Sequence, residues 1–290
     1  MSAELPKPID DIIGASQRND MDEFMAAWAA DALLSDSHRK YWGKEAIRRW
    51  CSIEWVGDDV TVTEVRNVVD HHGDHIVHAV LDGVYDKNGL PVDYLGTFLF
   101  KVRNDKIVRL IILPYGGRRL GKMTQTRMAS TCFSAPLPTF SEKMTSELPR
   151  PVADCFAAIN DARLDDVMKT FSEDAFVNDK HRSFHGHGAI RRWSEVEVIG
   201  ERVQIEVCDA IDHYGEIVGT ARIGGDFDRQ RFDSFVRNSS VTVLHGTAPE
   251  VLLAFYATLH DDRIGQLVIT PIDGASPIAT DETPFFVPYP

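Results

Sequence analysis

Apolar residues along the first third of the chain change period. Ile9, Ile12 and Ile13, then Phe24 and Trp28, recur at helical spacing on either side of the polar break SQRND, which predicts two helices joined by a short turn. A short strand over LLSDSHR and a third helix over GKEAIRRWCSIEWV, opened by Gly43, follow. Beyond them the pattern turns β-rich in four runs, Val60 to Val69, His75 to Tyr85, Val92 to Val102 and Lys106 to Leu113. The turn signals HHGD, DKNG and RND separate these runs at hairpin spacing. Helices first and then an antiparallel meander predict an α+β fold, three helices across the concave side of a strongly curved antiparallel sheet, with an apolar pocket at the mouth of the cone.

The pattern occurs twice. LPKPIDD at 5–11 returns as LPRPVAD at 148–154, and DSHRKYWGKEAIRRW at 36–50 returns as DKHRSFHGHGAIRRW at 179–193, both displaced by 143 positions. Over 5–58 against 148–201, 20 of 54 ungapped pairs are identical. The register then slips by one, setting DHHGD at 70–74 against DHYGE at 212–216, and the second copy carries an insertion near 229–248 before its last two strands. The expected organisation is a first copy over 1–115, a linker over 116–147, a second copy over 148–273 and a proline-rich extended tail over 274–290.

The composition limits partners. A net charge of −13, with no gathered basic face, argues against nucleic acid, and no apolar run approaches the roughly 20 residues a spanning helix needs. The N-terminus lacks an apolar signal core, so a cytoplasmic protein is expected. Cys51, Cys132, Cys155 and Cys208 are widely spaced and read as reduced, mostly buried side chains. The histidines of DHHGDH and of HGH at 185–187 make a poor ligand set at those spacings, so no metal site is expected. There is no GxGxxG, GxxxxGK[ST] or GxSxG pattern, and no cofactor is expected.

Candidate chemistry follows from what both copies keep. Alternation puts Leu34, Asp36 and His38 on one side of their strand, and Val177, Asp179 and His181 on the same side in the second copy. If the leucine and valine face the core, a carboxylate and an imidazole project into the same apolar space, an arrangement suited to general acid–base work. The alternative is structural, with Asp36 capping a turn or pairing with Arg39. On the third helix Ile47, Trp50 and Glu54 form one stripe, repeated by Ile190, Trp193 and Glu197, and a carboxylate on such a stripe calls for an Arg partner. Arg39 and Arg182 are the repeated arginines beside the acids. In the first copy alone, Glu64 shares a side with Val60 and Val62, and His78 with Ile76 and Val80, adding either pocket groups or exposed ones.

FMAAWAADALLSDSHRKYWGKEAIRRW, with the HHGD turn, the DGVYDKNGLP hairpin and the DKIVRLIIL strand, resembles the SnoaL-like branch of the nuclear transport factor two-like superfamily. That superfamily includes ketosteroid isomerase, polyketide cyclases, scytalone dehydratase, epoxide hydrolases and noncatalytic binding domains. The resemblance places Asp36 and Asp179 where the isomerase has its proton-shuttling Asp, and Trp50 and Trp193 where it has a pocket aromatic. The isomerase's oxyanion-hole Tyr would fall on Ile12 and Cys155, which cannot supply that hydrogen bond. A tandem pair is similar to polyether epoxide hydrolases, and Asp36 with Glu64 would be such an acid pair. It also implies an intrachain pseudo-dimer, alone or as a further homodimer. The expectation is a cofactor-independent acid/base enzyme acting on a small apolar organic molecule by isomerisation, cyclisation, dehydration or epoxide opening. Its catalytic groups would be Asp36, His38, Glu64, Asp179 and His181, and its substrate-binding groups Arg39, Trp50, Glu54, His78, Arg182, Trp193 and Glu197. The alternative is a noncatalytic binding or scaffold protein of the same fold.

Overall fold

A computed structural model describes residues 4–36, 39–84, 94–114, 147–179, 182–226 and 251–272. The expected linker up to residue 146, the insertion near 229–248 and the proline-rich tail lie outside the described residues, as do His38 and His181.

The first copy runs α1 (Lys7–Arg18), α2 (Met21–Ala26), β1 (Trp28–Asp36), β2 (Arg39–Trp42), α3 (Lys44–Trp50), a π-helical turn over Cys51–Trp55, then β3 (Thr61–His71), β4 (Asp74–Asp82), β5 (Tyr94–Arg103) and β6 (Lys106–Pro114). The second repeats it as α4 (Arg150–Asn160), α5 (Leu164–Thr170), β7 (Phe171–Asp179), β8 (Arg182–His185), α6 (Gly186–Trp193), a π-helical turn over Ser194–Ile199, β9 (Gln204–His213), β10 (Glu216–Gly224), β11 (Val251–His260) and β12 (Arg263–Pro271). Prolines inside the first turns of α1 and α4 fit positions whose N–H groups need no helical partner. Gly43 and its counterpart Gly186 turn the chain into α3 and α6 at φ +78° and +72°.

Each copy forms a six-stranded sheet, in the orders β2-β1-β6-β5-β4-β3 and β8-β7-β12-β11-β10-β9. Two expectations are corrected here. The sheets are mixed, because β1 runs parallel to β6 and β7 parallel to β12 after the helical excursion. Trp28 is a strand residue and not part of the second helix: α2 ends at Ala26, and the buried indole opens β1.

Strand alternation gives each sheet two buried faces. Leu34, Phe98, Phe100 and Leu110 point into the first cone with the helices, while Leu33, Leu99 and Ile111 point out of it. The outer residues meet Phe176, Val218, Tyr256 and Val268 of the second sheet in a shared core, so the copies form a pseudo-dimer within one chain. Burial on both sides explains the nearly unbroken apolar run of β6.

Arg109, the exception in that run, is fully buried at the seam. It donates to Glu216 at 2.8 and 3.0 Å, to Asp74 at 3.1 Å and to the Leu99 carbonyl at 2.6 Å. Lys101, equally buried, donates to Thr258 at 3.1 Å and lies 3.5 Å from Asp74. Burial opposes the Glu216 charge, but Arg109 and Lys101 outweigh it and lower its pKa. The two cations and two acids balance. Both cations come from the first copy, since Gln266 and Thr258 occupy the matching positions of the second. Pairing like with like would leave excess buried charge, so the seam favours unlike copies.

Candidate functional site

In the second copy β7 ends on Asp179, β8 begins with Arg182, α6 ends on Trp193, and the π turn carries Glu197. Trp193 Nε1 donates to Asp179 Oδ2 at 3.1 Å, and Arg182 Nη2 donates to the same oxygen at 3.0 Å. The guanidinium also grips Glu197 with both nitrogens, at 2.8 and 2.6 Å, and lies over the Phe184 ring, 5.5 Å from its centroid. Its hydrogen bonds to the Glu197 carboxylate come first among the influences that raise the Arg182 pKa, so this charge is permanent. Asp179 Oδ1 has no hydrogen bond to a described residue.

The first copy repeats the arrangement. Arg39 bonds Asp36 at 2.6 Å and holds Glu54 through both nitrogens, and Trp50 Nε1 donates to Asp36 at 3.3 Å. Burial opposes the Arg39 charge, but Glu54 and Asp36 outweigh it and raise its pKa. The Arg partner expected for the stripe carboxylate is therefore the arginine beside the acid, and Asp, Arg, Glu and Trp form one cluster in each copy. The π turns widen the helix just where Glu54 and Glu197 must reach this arginine.

The cones differ in what fills them. A cavity of about 380 Å³ opens in the second, walled by Phe156, Ile205, Val198, Ile223 and Phe255, with Asp179, Arg182, Trp193, Glu197 and Glu201 also lining it. The first keeps about 20 Å³ between Phe24, Trp55, Phe98 and Phe100. The repeat shows why: Phe24, Trp55 and Phe100 are matched by Val167, Val198 and Ala257. Three aromatic rings in one cone are small aliphatic side chains in the other.

Two of the expected site residues are elsewhere. Glu64 is exposed and paired with Arg66 at 3.2 Å, so it forms no acid pair with Asp36. The slight irregularities in the pairing of β3 with β4 take its side chain out of the cone. His78 faces the seam, where its Nδ1 is 3.0 Å from Thr97 Oγ1, because the side shared with Ile76 is the outer one. Burial lowers its pKa, with the neighbouring His185 adding to the effect. Glu201 was missed; as the counterpart of Asp58, it was visible only by following the repeat past the tryptophan. Burial pushes the thiols of Cys51 and Cys155 up to about 12, leaving them unreactive at neutral pH.

Residues 9–110 match the family model of the SnoaL-like domain. Solved structures with similar folds include SalBIII, an epoxide hydrolase/cyclase-like enzyme of pyran ring formation in salinomycin, at 15% identity over 42% of this chain and 87% of that one, TM-score 0.33. A protein with a ketosteroid isomerase-like fold from Catenulispora acidiphila is 16% identical over 43% of this chain and 86% of its own, TM-score 0.34. A Mycobacterium tuberculosis protein solved with estradiol-17beta-hemisuccinate is 11% identical over 41% and 88%, TM-score 0.33. Identities this low say nothing of activity. No curated protein matches the chain. Among the described residues no helix is long and apolar enough to cross a membrane. The first copy thus matches the SnoaL-like domain model, and the second repeats its strand order and its Asp–Arg–Trp–Glu cluster.

Proposed function

We propose that the second copy is a cofactor-independent acid/base site for a small apolar organic molecule and that the first is its filled scaffold. The cavity of about 380 Å³ beside Asp179 carries this reading, since the pocket of about 20 Å³ in the first cone is lined by none of Asp36, Arg39, Trp50 and Glu54. This moves the expected chemistry from Asp36 to Asp179. Trp193 and Arg182 fix one carboxylate oxygen and leave Oδ1 to take a proton from a bound substrate and return it to another atom. That shuttle is common to isomerisation, cyclisation, dehydration and epoxide opening. Apolar walls orient the carbon skeleton and exclude water, and Arg182 steadies charge that develops nearby. His181, two residues after Asp179 in sequence, is the proposed second proton carrier.

A noncatalytic binding role is the second reading, favoured by the grip of Arg182 on both acids. Turnover of a panel of epoxides, enones and β-hydroxyketones separates the two. Asp179→Asn is expected to cut turnover on the order of 10²–10⁴-fold with little change in melting temperature, while Asp36→Asn leaves turnover intact. A wild-type chain that binds these compounds and converts none would establish the binding role.

A further inference from the structure

The seam is closed at each end by the same clamp, in which a β-turn of one copy reaches a strand of the other. At one end His213 Nε2 bonds the Asp31 carbonyl at 3.0 Å, and Tyr214 Oη donates to the Asp31 carboxylate at 2.7 Å. At the other, His71 Nε2 bonds the Asp174 carbonyl at 3.0 Å, and His72 Nε2 lies 2.9 Å from the Asp174 carboxylate. The repeat pairs His71 with His213, His72 with Tyr214 and Asp174 with Asp31.

The second clamp differs in a consistent direction. Where the first end has Tyr214, Arg103 and Ala29, this end has His72, His260 and Ser172. Ser172 donates to Asp174 Oδ1 at 3.1 Å and so orients the carboxylate. His260 stacks on His72 with centroids 3.7 Å apart. Gly265 stands where the first copy has Val108, and a Cβ there would lie 3.2 Å from His260 and 3.6 Å from His72. Tyr214 shows that a clamp needs no second imidazole, so the extra nitrogen donors are not required for closure.

We infer that this end of the seam binds one divalent transition-metal ion, of the zinc or nickel class, through a ring nitrogen each of His71 and His72 and the carboxylate of Asp174. Their ligand atoms already lie within 4.8 Å of one another. Tetrahedral zinc, with bonds of about 2.0–2.1 Å, sets its ligands about 3.3 Å apart, so side-chain rotations suffice. Ser172 supplies the outer hydrogen bond that metal-ligating carboxylates use. Two neutral imidazoles and one carboxylate suit borderline metals over calcium or magnesium, and a fourth position is left for water. The histidine spacing alone had argued against a metal; the third ligand lies 103 residues away from His71 and reaches it only through the pairing of the two copies. The ion would bind the two copies together at one end of the seam.

The test uses the full chain without a histidine tag, stripped with chelator and titrated with zinc chloride, with cobalt(II) as the spectroscopic probe. One zinc per chain is expected, with a melting temperature raised by about 5 °C at a hundredfold excess over Kd, and visible cobalt bands of a nitrogen/oxygen site. His72→Tyr, which installs the residue of the other clamp and keeps a donor to Asp174, is expected to keep the metal-free melting temperature and weaken zinc binding at least tenfold. Asp174→Asn should do the same to binding, and His187→Ala should leave it unchanged. No stoichiometric zinc binding by the wild type, or undiminished binding by both His72→Tyr and Asp174→Asn, would overturn the assignment.

Discussion

Trp55→Val, which gives the first cone the residue of the second, tests whether one side chain decides which cone is open. Trp55 is 7% exposed, and its ring lies 5.7 Å from Trp50, 5.9 Å from Phe24 and 6.2 Å from Phe98. Truncating a buried Trp to Ala costs about 3–5 kcal/mol, and the methyl groups of Val restore part of it, leaving about 2–4 kcal/mol. With about 2–4 °C per kcal/mol in a domain of this size, the melting temperature should fall on the order of 5–15 °C. Urea unfolding followed by circular dichroism measures the loss. Titration with Nile red, a neutral apolar dye, should show two sites per chain where the wild type shows one. A loss below about 1 kcal/mol, or a folded variant still binding a single dye, would refute the idea that Trp55 fills the first cone.

Three further outcomes follow from the same geometry. Val198→Trp should abolish dye binding and turnover while holding stability within about 1–3 kcal/mol of the wild type, as read by titration and thermal melting. Glu216→Gln leaves two buried cations facing Asp74 alone and should cost about 3–5 kcal/mol by urea unfolding, and adding Lys101→Met, which restores the balance, should recover much of it. Lys40, with its Nζ 5.5 Å from the centroid of the Tyr256 ring, is pushed down to about 8 by burial, with Asp209 opposing. Between pH 8 and the ordinary lysine value of 10.5 the unfolded chain therefore holds more protons than the folded one, and stability attributable to Lys40 rises through that window. Lys40→Met should be the more stable protein at pH 7 and lose its advantage by pH 10.5, measured as the difference in urea midpoints.

The fold was legible because the repeat and the period change are local signals. The strands from β3 to β6 fall within a few residues of the expected runs. The parallel β1–β6 pair escaped because nothing in LLSDSHR states which strand it will join. In the site, Asp36 and Asp179 emerge from alternation, and the Arg partners from the cost of a carboxylate on an apolar stripe. His78 was misplaced because alternation assigns a side without saying which is inside, the outer face being apolar too and buried by the other copy, and Glu64 because the irregularity after Val62 breaks the alternation. The partners of Arg109 are not legible in the sequence, since its acids lie on another strand and in another copy. The difference between the cones was written in the exchanges of Phe24, Trp55 and Phe100, but a lost ring reads as a cavity only when its neighbours are known.

The crystal structure of the chain soaked with 2-bromonaphthalene, located by the anomalous signal of bromine, tests the central claim most directly. The account predicts one bromine site per chain, within the second cone between Trp193, Val198 and Phe255. Bromine in the first cone, or a second cone that stays closed to the ligand, would contradict it.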